Sequence, residues 1–173
     1  MNKLHLYTGE GKGKTTAAMG LALRALGHGR RVLIAQFLKD GRSGELEALR
    51  QFNNARIARI PPTKKFTFQM TQEELAETRR VLTAELDKLA ALIGREKPGM
   101  MVFDEMAMAA YLGALDERGV ERLIDTALEH GEAVVTGRYA PQSIVDRADY
   151  HTEMTKRRHP FDGGLHARAG VEW

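Results

Sequence analysis

The 173-residue sequence contains no cysteine, only five prolines and a single tryptophan, and it has no long apolar run. Without cysteine the chain can form neither a disulfide nor a thiolate metal site, and it has no cysteine nucleophile. No apolar stretch approaches the roughly 20 residues of a membrane-spanning helix. The first residues lead into a strand pattern rather than into a charged and then apolar export signal. We therefore expect a cytoplasmic protein without a membrane partner.

A strong charge of either sign is also lacking. The chain has 26 Lys and Arg against 23 Asp and Glu, a formal net charge of +3, which suits anionic small molecules and does not require nucleic acid. The densest basic run, residues 156–159, has no aromatic residues that could stack on bases, so we interpret it as a solvated surface. With 43% hydrophobic residues, the chain has enough apolar mass for one core. We predict a single domain over residues 1–173.

What the sequence does contain is a loop rich in glycine and lysine near its start. Residues 8–16 read Thr-Gly-Glu-Gly-Lys-Gly-Lys-Thr-Thr, between a short alternating strand pattern and apolar residues at helical spacing. Glycines let backbone N–H groups converge on an anion, and a helix N-terminus attracts phosphate. Lys14 adds charge, and Thr15 offers a hydroxyl to Mg²⁺. We predict a loop that binds a nucleoside triphosphate; the alternative is a glycine-rich turn that binds nothing.

Strands and helices alternate along the rest of the chain. The patterns predict strands over residues 31–37, 56–60, 100–103 and 133–136, and helices over residues 44–52, 71–93 and 116–130. This alternation predicts an α/β protein with a mostly parallel sheet and helices on both faces.

Polar turns follow four of these strands. They are the glycine loop, Lys39-Asp40-Gly41, Asp104-Glu105 and Thr136-Gly137-Arg138. In open parallel sheets ligands bind at the carboxyl ends of the strands, so we predict the site at this edge.

Several residues outside the loop are candidates for the site. Asp104 and Glu105 would hold Mg²⁺ beside Thr15, or they would instead cap the helix that follows. Arg138 is either a ligand of the triphosphate or ribose, or a solvated arginine. Phe66 and Phe68 lie in a segment that shows neither helical nor strand periodicity and is predicted to be a loop. They either enter the core or face a flat apolar ligand.

The chain resembles, from end to end, the P-loop type of corrinoid adenosyltransferase, which acts on cob(I)yrinic acid a,c-diamide or cob(I)alamin. The resemblance rests on motifs whose order and spacing are more specific than the glycine loop alone. They are residues 8–16, Gln36-Phe37-Leu38-Lys39, Gly44-Glu45, Phe66-Thr67-Phe68, Phe103-Asp104-Glu105, Thr136-Gly137-Arg138 with Ala140-Pro141, and His159-Pro160-Phe161-Asp162 followed by Gly164, Ala167, Arg168, Gly170 and Glu172.

This resemblance implies a P-loop fold of the recombination-ATPase type and an alkyl transfer. The 5′-deoxyadenosyl group of ATP would move to Co(I) of a reduced corrinoid, and inorganic triphosphate would leave. Mg²⁺ or Mn²⁺ would assist, a flavoprotein would supply the electron, and the chain would form a homodimer.

The resemblance also implies a role for each residue of the site. ATP would be bound by Thr8, Gly9, Glu10, Gly11, Lys12, Gly13, Lys14, Thr15 and Thr16. Lys12, Lys14 and Arg138 would be catalytic, and Thr15, Asp104 and Glu105 would bind the metal. Phe66 and Phe68 would pack against the lower face of the corrinoid.

Two other functions also need a phosphate-binding loop. One is an ATP-hydrolysing motor or switch, in which Glu105 would polarise a water and the basic run would touch nucleic acid. The other is a small-molecule kinase. The products distinguish the three: triphosphate with a cobalt–carbon species, ADP with phosphate, or ADP with a phosphorylated acceptor.

Overall fold

A parallel β-sheet lies at the centre of the protein. A computed structural model describes residues 1–39, 43–63, 65 and 69–172. Within these residues the strands are β1 (Leu4–Thr8), β2 (Val32–Gln36), β3 (Ala55–Ala58), β4 (Met100–Asp104), β5 (Glu132–Thr136) and β6 (Tyr150–Glu153). They pair in the order β3-β2-β4-β5-β1-β6, and each of these pairs is parallel. The predicted α/β class with a parallel sheet is confirmed.

Helices cover both faces of this sheet. They are α1 (Lys14–Gly27), α2 (Gly44–Leu49), α3 (Gln72–Glu96), α4 (Met106–Tyr111), α5 (Glu117–His130) and α6 (Gln142–Arg147), and a short 3-10 helix follows at Pro160–Gly163. Within the described part of the chain, no helix is long and apolar enough to cross a membrane.

The central strands bury both of their faces, which explains their continuous apolar sequence. Every residue of β2 and of β4 is buried. Alternate residues then divide between two cores. Ile34 and Val102 pack with helices α1 and α2 on one face, whereas Leu33 and Phe103 pack with α3, α4 and α5 on the other.

Helix α3 is longer than the sequence predicts. Its start is as expected, since the Thr71 hydroxyl accepts from the Glu74 N–H at 3.2 Å and the Glu74 carboxylate accepts from the Thr71 N–H at 3.0 Å. The predicted end at residue 93 is wrong: the helix passes through Gly94 and ends at Glu96. An exposed helical glycine costs only about 1 kcal/mol, whereas the residue before Pro98 is forced out of the helical conformation.

Strand β6 and helix α6 were not predicted. All four residues of β6, Tyr-His-Thr-Glu, are exposed, so the strand lacks the apolar alternation by which strands are recognised. Its backbone pairs with β1, and it forms the edge of the sheet beside the glycine loop.

Candidate nucleotide and metal site

The glycine loop joins the end of β1 to the start of α1. Helix α1 begins at Lys14, and Gly13 at its N-cap has a φ of 119°, a conformation that favours glycine. The first N–H groups of this 14-residue helix have no intrahelical acceptor, so the helix start can bind an anion. Strand, loop and helix therefore follow one another as predicted.

Gly9 and Gly11 are needed for a reason that the sequence pattern did not reveal. The N–H of Gly9 donates to the Arg138 carbonyl at 3.0 Å, and the N–H of Gly11 donates to the Met154 carbonyl at 2.6 Å. A Cβ atom would lie 2.5 Å from the Met154 carbonyl oxygen at Gly9, and 2.6 Å from it at Gly11. Both N–H groups therefore donate to the backbone rather than to an anion: Gly9 bonds to the chain that follows β5, and Gly11 bonds to the chain that follows β6.

Lys14 curls back over this loop. Its ammonium donates to the carbonyls of Gly9 at 2.6 Å and of Gly11 at 2.8 Å. Burial lowers the pKa of Lys14, and the positive charge of Arg138 lowers it further, while Glu105 and other acidic groups act in the opposite direction. The loop carbonyls that bind this half-buried ammonium are neutral, so a bound phosphate would supply the negative charge that they do not.

Asp104, at the end of β4, is the most fully bonded carboxylate of the site. Its side chain has no exposed surface. The strand register brings the ends of β2 and β5 beside it. Its carboxylate accepts hydrogen bonds from four side chains: Thr15 Oγ1 at 2.8 Å, Thr136 Oγ1 at 2.7 Å, Gln36 Nε2 at 3.1 Å and Lys39 Nζ at 2.6 Å.

Glu105 lies beside Asp104 and borders the cleft over the loop. Its φ is 59°, and its N–H donates to the Thr136 hydroxyl at 2.9 Å. Burial raises the pKa of Glu105, and the adjacent Asp104 charge raises it further, against the effect of Lys39 and other nearby cations. The Glu105 side chain makes no capping hydrogen bond to α4. The Asp104 carboxylate bonds to the four side chains named above, so the helix-capping alternative lacks support.

The chemistry of this donor set suits Mg²⁺. The Thr15 hydroxyl and the Asp104 carboxylate lie 2.8 Å apart, close to the spacing of adjacent ligands around an octahedral ion at about 2.1 Å. The Lys39 ammonium already places a positive charge there. Among the described residues no group of three His, Asp or Glu could hold a metal by itself. A metal would therefore depend on phosphate oxygens, as Mg²⁺ at nucleotide sites does.

A cleft of about 950 Å³ opens above the loop. This volume lies within the range of small-molecule sites. Its lining comes from the loop, from α1, from α2 and the turn that follows it, and from residues 170–172. It includes Gly11, Lys12, Gly13, Lys14, Thr15, Thr16, Met19, Leu23, Lys39, Glu45, Leu49, Phe52, Glu105, Gly170, Val171 and Glu172. The cleft therefore combines charged side chains with apolar ones.

Some of the predicted residues make contacts outside this cleft. The Thr8 hydroxyl pairs with His151 Nε2 at 2.8 Å. The Glu10 carboxylate accepts from the Tyr139 hydroxyl at 2.8 Å.

Other predicted residues lie at the surface of the site. The Lys12 ammonium donates to the Val171 carbonyl at 2.8 Å. Arg138 is exposed and contacts the loop through its backbone. Phe66 and Phe68 lie outside the described residues.

Sequence reasoning missed the residues that surround Asp104. It placed Lys39 and Thr136 in turns at the correct edge and Gln36 in a motif of the resemblance, but gave none of them a role. It did not consider Ser43, whose hydroxyl accepts a hydrogen bond from Gln36 Nε2 at 3.1 Å. The available signal was a polar residue at the end of each otherwise apolar strand. The closing residues 170–172 gave no such signal, because only the folded chain brings them to the loop.

Together the parallel sheet, the glycine loop before α1 and the hydroxyl–carboxylate pair define a P-loop nucleotide-binding protein. The family model for ATP:corrinoid adenosyltransferase BtuR/CobO/CobP matches residues 1–173. The chain belongs to this family of ATP-dependent transferases.

Curated relatives agree with the family model. A corrinoid adenosyltransferase of Pseudomonas aeruginosa is 34% identical over 98% of this chain and 83% of its own length. The corrinoid adenosyltransferase CobA of Salmonella typhimurium is 33% identical over 97% of this chain and 84% of its own. A corrinoid adenosyltransferase of Sinorhizobium sp is 33% identical over 96% of this chain and 78% of its own length. The resemblance inferred from the motifs is thus confirmed, and these comparisons offer no support for a motor or a small-molecule kinase.

Proposed function

We propose that the chain transfers the 5′-deoxyadenosyl group of ATP to Co(I) of a reduced corrinoid and releases inorganic triphosphate. The C5′–oxygen bond of ATP breaks, and its electron pair leaves with the triphosphate. Co(I) supplies both electrons of the new cobalt–carbon bond, so no phosphoryl group moves and no general base is needed. The observation that carries this proposal is the family match over residues 1–173.

The protein's part in this reaction is to position C5′ and to stabilise the leaving triphosphate. Lys14 is best placed for the second task because its ammonium already lies over the loop. Lys12, at the mouth of the cleft, would reach a phosphate once it leaves the Val171 carbonyl. Arg138 is near enough for its charge to lower the pKa of Lys14, and we assign it to the same leaving group.

We assign Mg²⁺ to Thr15, Asp104 and Glu105, directly or through water. When bound, it would supply further positive charge to the triphosphate. The support is the short distance between the Thr15 hydroxyl and the buried Asp104 carboxylate, together with the position of Glu105 at the cleft. ATP binding by residues 8–16 rests on the start of α1 and on the lining of the cleft.

Other parts of the proposal rest on the resemblance alone. Phe66 and Phe68 would pack against the lower face of the corrinoid and keep its lower axial ligand away, which would ease reduction to Co(I). A flavoprotein would supply that electron, and the enzyme would act as a homodimer. We propose the cytoplasm as its location because ATP is available there.

Product identity is the most direct test. Purified protein is incubated in the dark with ATP, Mg²⁺ and chemically reduced corrinoid, using cobyrinic acid a,c-diamide and cobalamin in parallel. We expect a light-sensitive cobalt–carbon product and one triphosphate per product. ADP as the sole nucleotide product would contradict the proposal.

The role of Lys14 is tested in the same assay. Lys14→Ala is expected to lower the turnover rate by about a hundredfold or more, the usual effect of removing one preorganised group that stabilises developing charge. Lys88→Ala is the matched control, because Lys88 forms an exposed ion pair with Glu85 on α3. Equal rates for both variants would exclude Lys14 from the reaction.

A further inference from the structure

Lys39 contacts both side chains that we assign to the metal. Its ammonium lies 2.6 Å from Asp104 Oδ2 and 3.1 Å from Thr15 Oγ1. Lys39 lies outside the glycine loop and its nucleotide-binding pattern, and the transfer proposed above does not use it. Its position therefore calls for a separate explanation.

The charge of Asp104 supplies part of that explanation. This carboxylate is fully buried, and an unpaired charge in such a place is strongly destabilising. Its three other side-chain partners, Thr15, Gln36 and Thr136, are neutral. Among the described residues, the Lys39 ammonium is the one cation in contact with Asp104.

The position of Lys39 also allows it to move. Its side chain is 29% exposed, and it borders the cleft, whereas Asp104 is closed off beneath it. The preceding residue, Leu38, has a φ of 56°, a left-handed conformation that is unfavourable for leucine. Such strained backbone positions often accompany segments that change conformation at functional sites.

We propose that Lys39 is an internal cation that occupies the metal site of the nucleotide-free enzyme and keeps free Mg²⁺ out of it. Its ammonium contacts the same two oxygens as the metal would, and the two positive charges repel each other. When nucleotide and metal bind together, phosphate oxygens offer the ammonium a new partner at the open side of the cleft. Lys39 thus makes metal binding depend on the nucleotide. This inference rests on the proposed metal site.

Mn²⁺ binding to the nucleotide-free full-length chain, measured by electron paramagnetic resonance, tests this role without an activity assay. Lys39→Met is expected to bind Mn²⁺ at least about tenfold more tightly than the wild type, because the competing charge is gone. Lys39→Arg keeps the charge and is expected to bind Mn²⁺ as weakly as the wild type. Lys88→Met, which removes one charge from a distant exposed pair, is the control for net charge.

Thermal unfolding provides a second readout. Without metal, Lys39→Met and the neutral, hydrogen-bonding Lys39→Gln leave the Asp104 charge uncompensated, so both are expected to melt below the wild type. Added Mg²⁺ should restore their melting temperatures and leave that of the wild type unchanged. Variants that bind Mn²⁺ no more tightly than the wild type, or that stay unfolded at every Mg²⁺ concentration, would overturn the proposal.

The same titration with ATP separates this inference from the proposed function. If the wild type does not bind Mn²⁺ even with ATP, the metal assignment itself fails. If the wild type binds Mn²⁺ with ATP but removal of the Lys39 charge does not tighten binding without it, only the role of Lys39 is refuted.

Discussion

Thr136 joins the two acidic residues of the site. Its hydroxyl donates to Asp104 Oδ1 at 2.7 Å and accepts from the Glu105 N–H at 2.9 Å. Thr136 is fully buried at the end of β5, so water cannot replace either bond. One buried hydroxyl group thus bonds both to the Asp104 carboxylate and to the backbone of Glu105.

Replacement of Thr136 by valine tests this dependence. Thr136→Val keeps the shape of the side chain but removes one of the four donors to Asp104 and leaves the Glu105 N–H without its acceptor. We expect a loss of about 1–3 kcal/mol in the free energy of unfolding, measured with urea. Thr136→Ser keeps the hydroxyl and should recover most of this loss. If the valine variant is as stable as the wild type, these hydrogen bonds do not stabilise the fold.

At the scale of elements, the glycine loop is packed against the chain that leaves β6. The N–H of Gly11 donates to the Met154 carbonyl, and the N–H of Met154 donates to the Thr8 carbonyl at 2.8 Å. The last strand of the sheet thus supports the loop that would hold the phosphates.

A pair of glycine substitutions tests this contact. In Gly11→Ala the new Cβ would lie 2.6 Å from the Met154 carbonyl oxygen, which is backbone and cannot rotate away. We expect a loss of about 1–3 kcal/mol in unfolding free energy and weaker ATP binding in calorimetry.

Gly94→Ala provides the matched control for the same chemical change. Gly94 lies within α3, and its added Cβ would meet nothing within 4 Å. Here alanine should stabilise the protein by roughly 0.5–1 kcal/mol, because glycine loses more backbone entropy in a helix. If Gly11→Ala raised the unfolding free energy by a similar amount, a Cβ atom at position 11 would not clash with the Met154 carbonyl oxygen, and the predicted contact would be wrong.

At the scale of the whole molecule, the candidate site connects distant parts of the sheet. The loop follows β1 and bonds to the backbone near β5 and β6, while Thr15 at the start of α1 bonds to Asp104 at the end of β4. A ligand that holds these parts together should stabilise the global fold rather than the loop alone.

Thermal unfolding with ATP and Mg²⁺ measures this coupling. At a ligand concentration of about 100 times Kd, binding to the folded state alone adds about 2.7 kcal/mol. For a chain of this size that corresponds to a rise in Tm of about 5–10 °C. At the same ligand concentration Lys14→Ala should show a much smaller rise. An equal rise in that variant would mean that ATP binds without the Lys14 ammonium.

The sequence by itself determined the local features and the family of this protein. The strand, the glycine loop and the helix from Lys14 onward could be predicted, because periodicity and glycine act within a few residues of chain. The acidic end of β4 was found in the same way, from polar residues directly after an apolar run. The order and spacing of the motifs were enough to identify the family.

Only the tertiary structure decided how these pieces meet. Lys39 and Asp104 are 65 residues apart, and Gly11 lies against Met154 from the other end of the chain. Such contacts leave no periodic signal, because each partner obeys only the local rules of its own segment. The exposed strand β6 is the clearest case, since its strand conformation depends on hydrogen bonds with β1 rather than on its own residues.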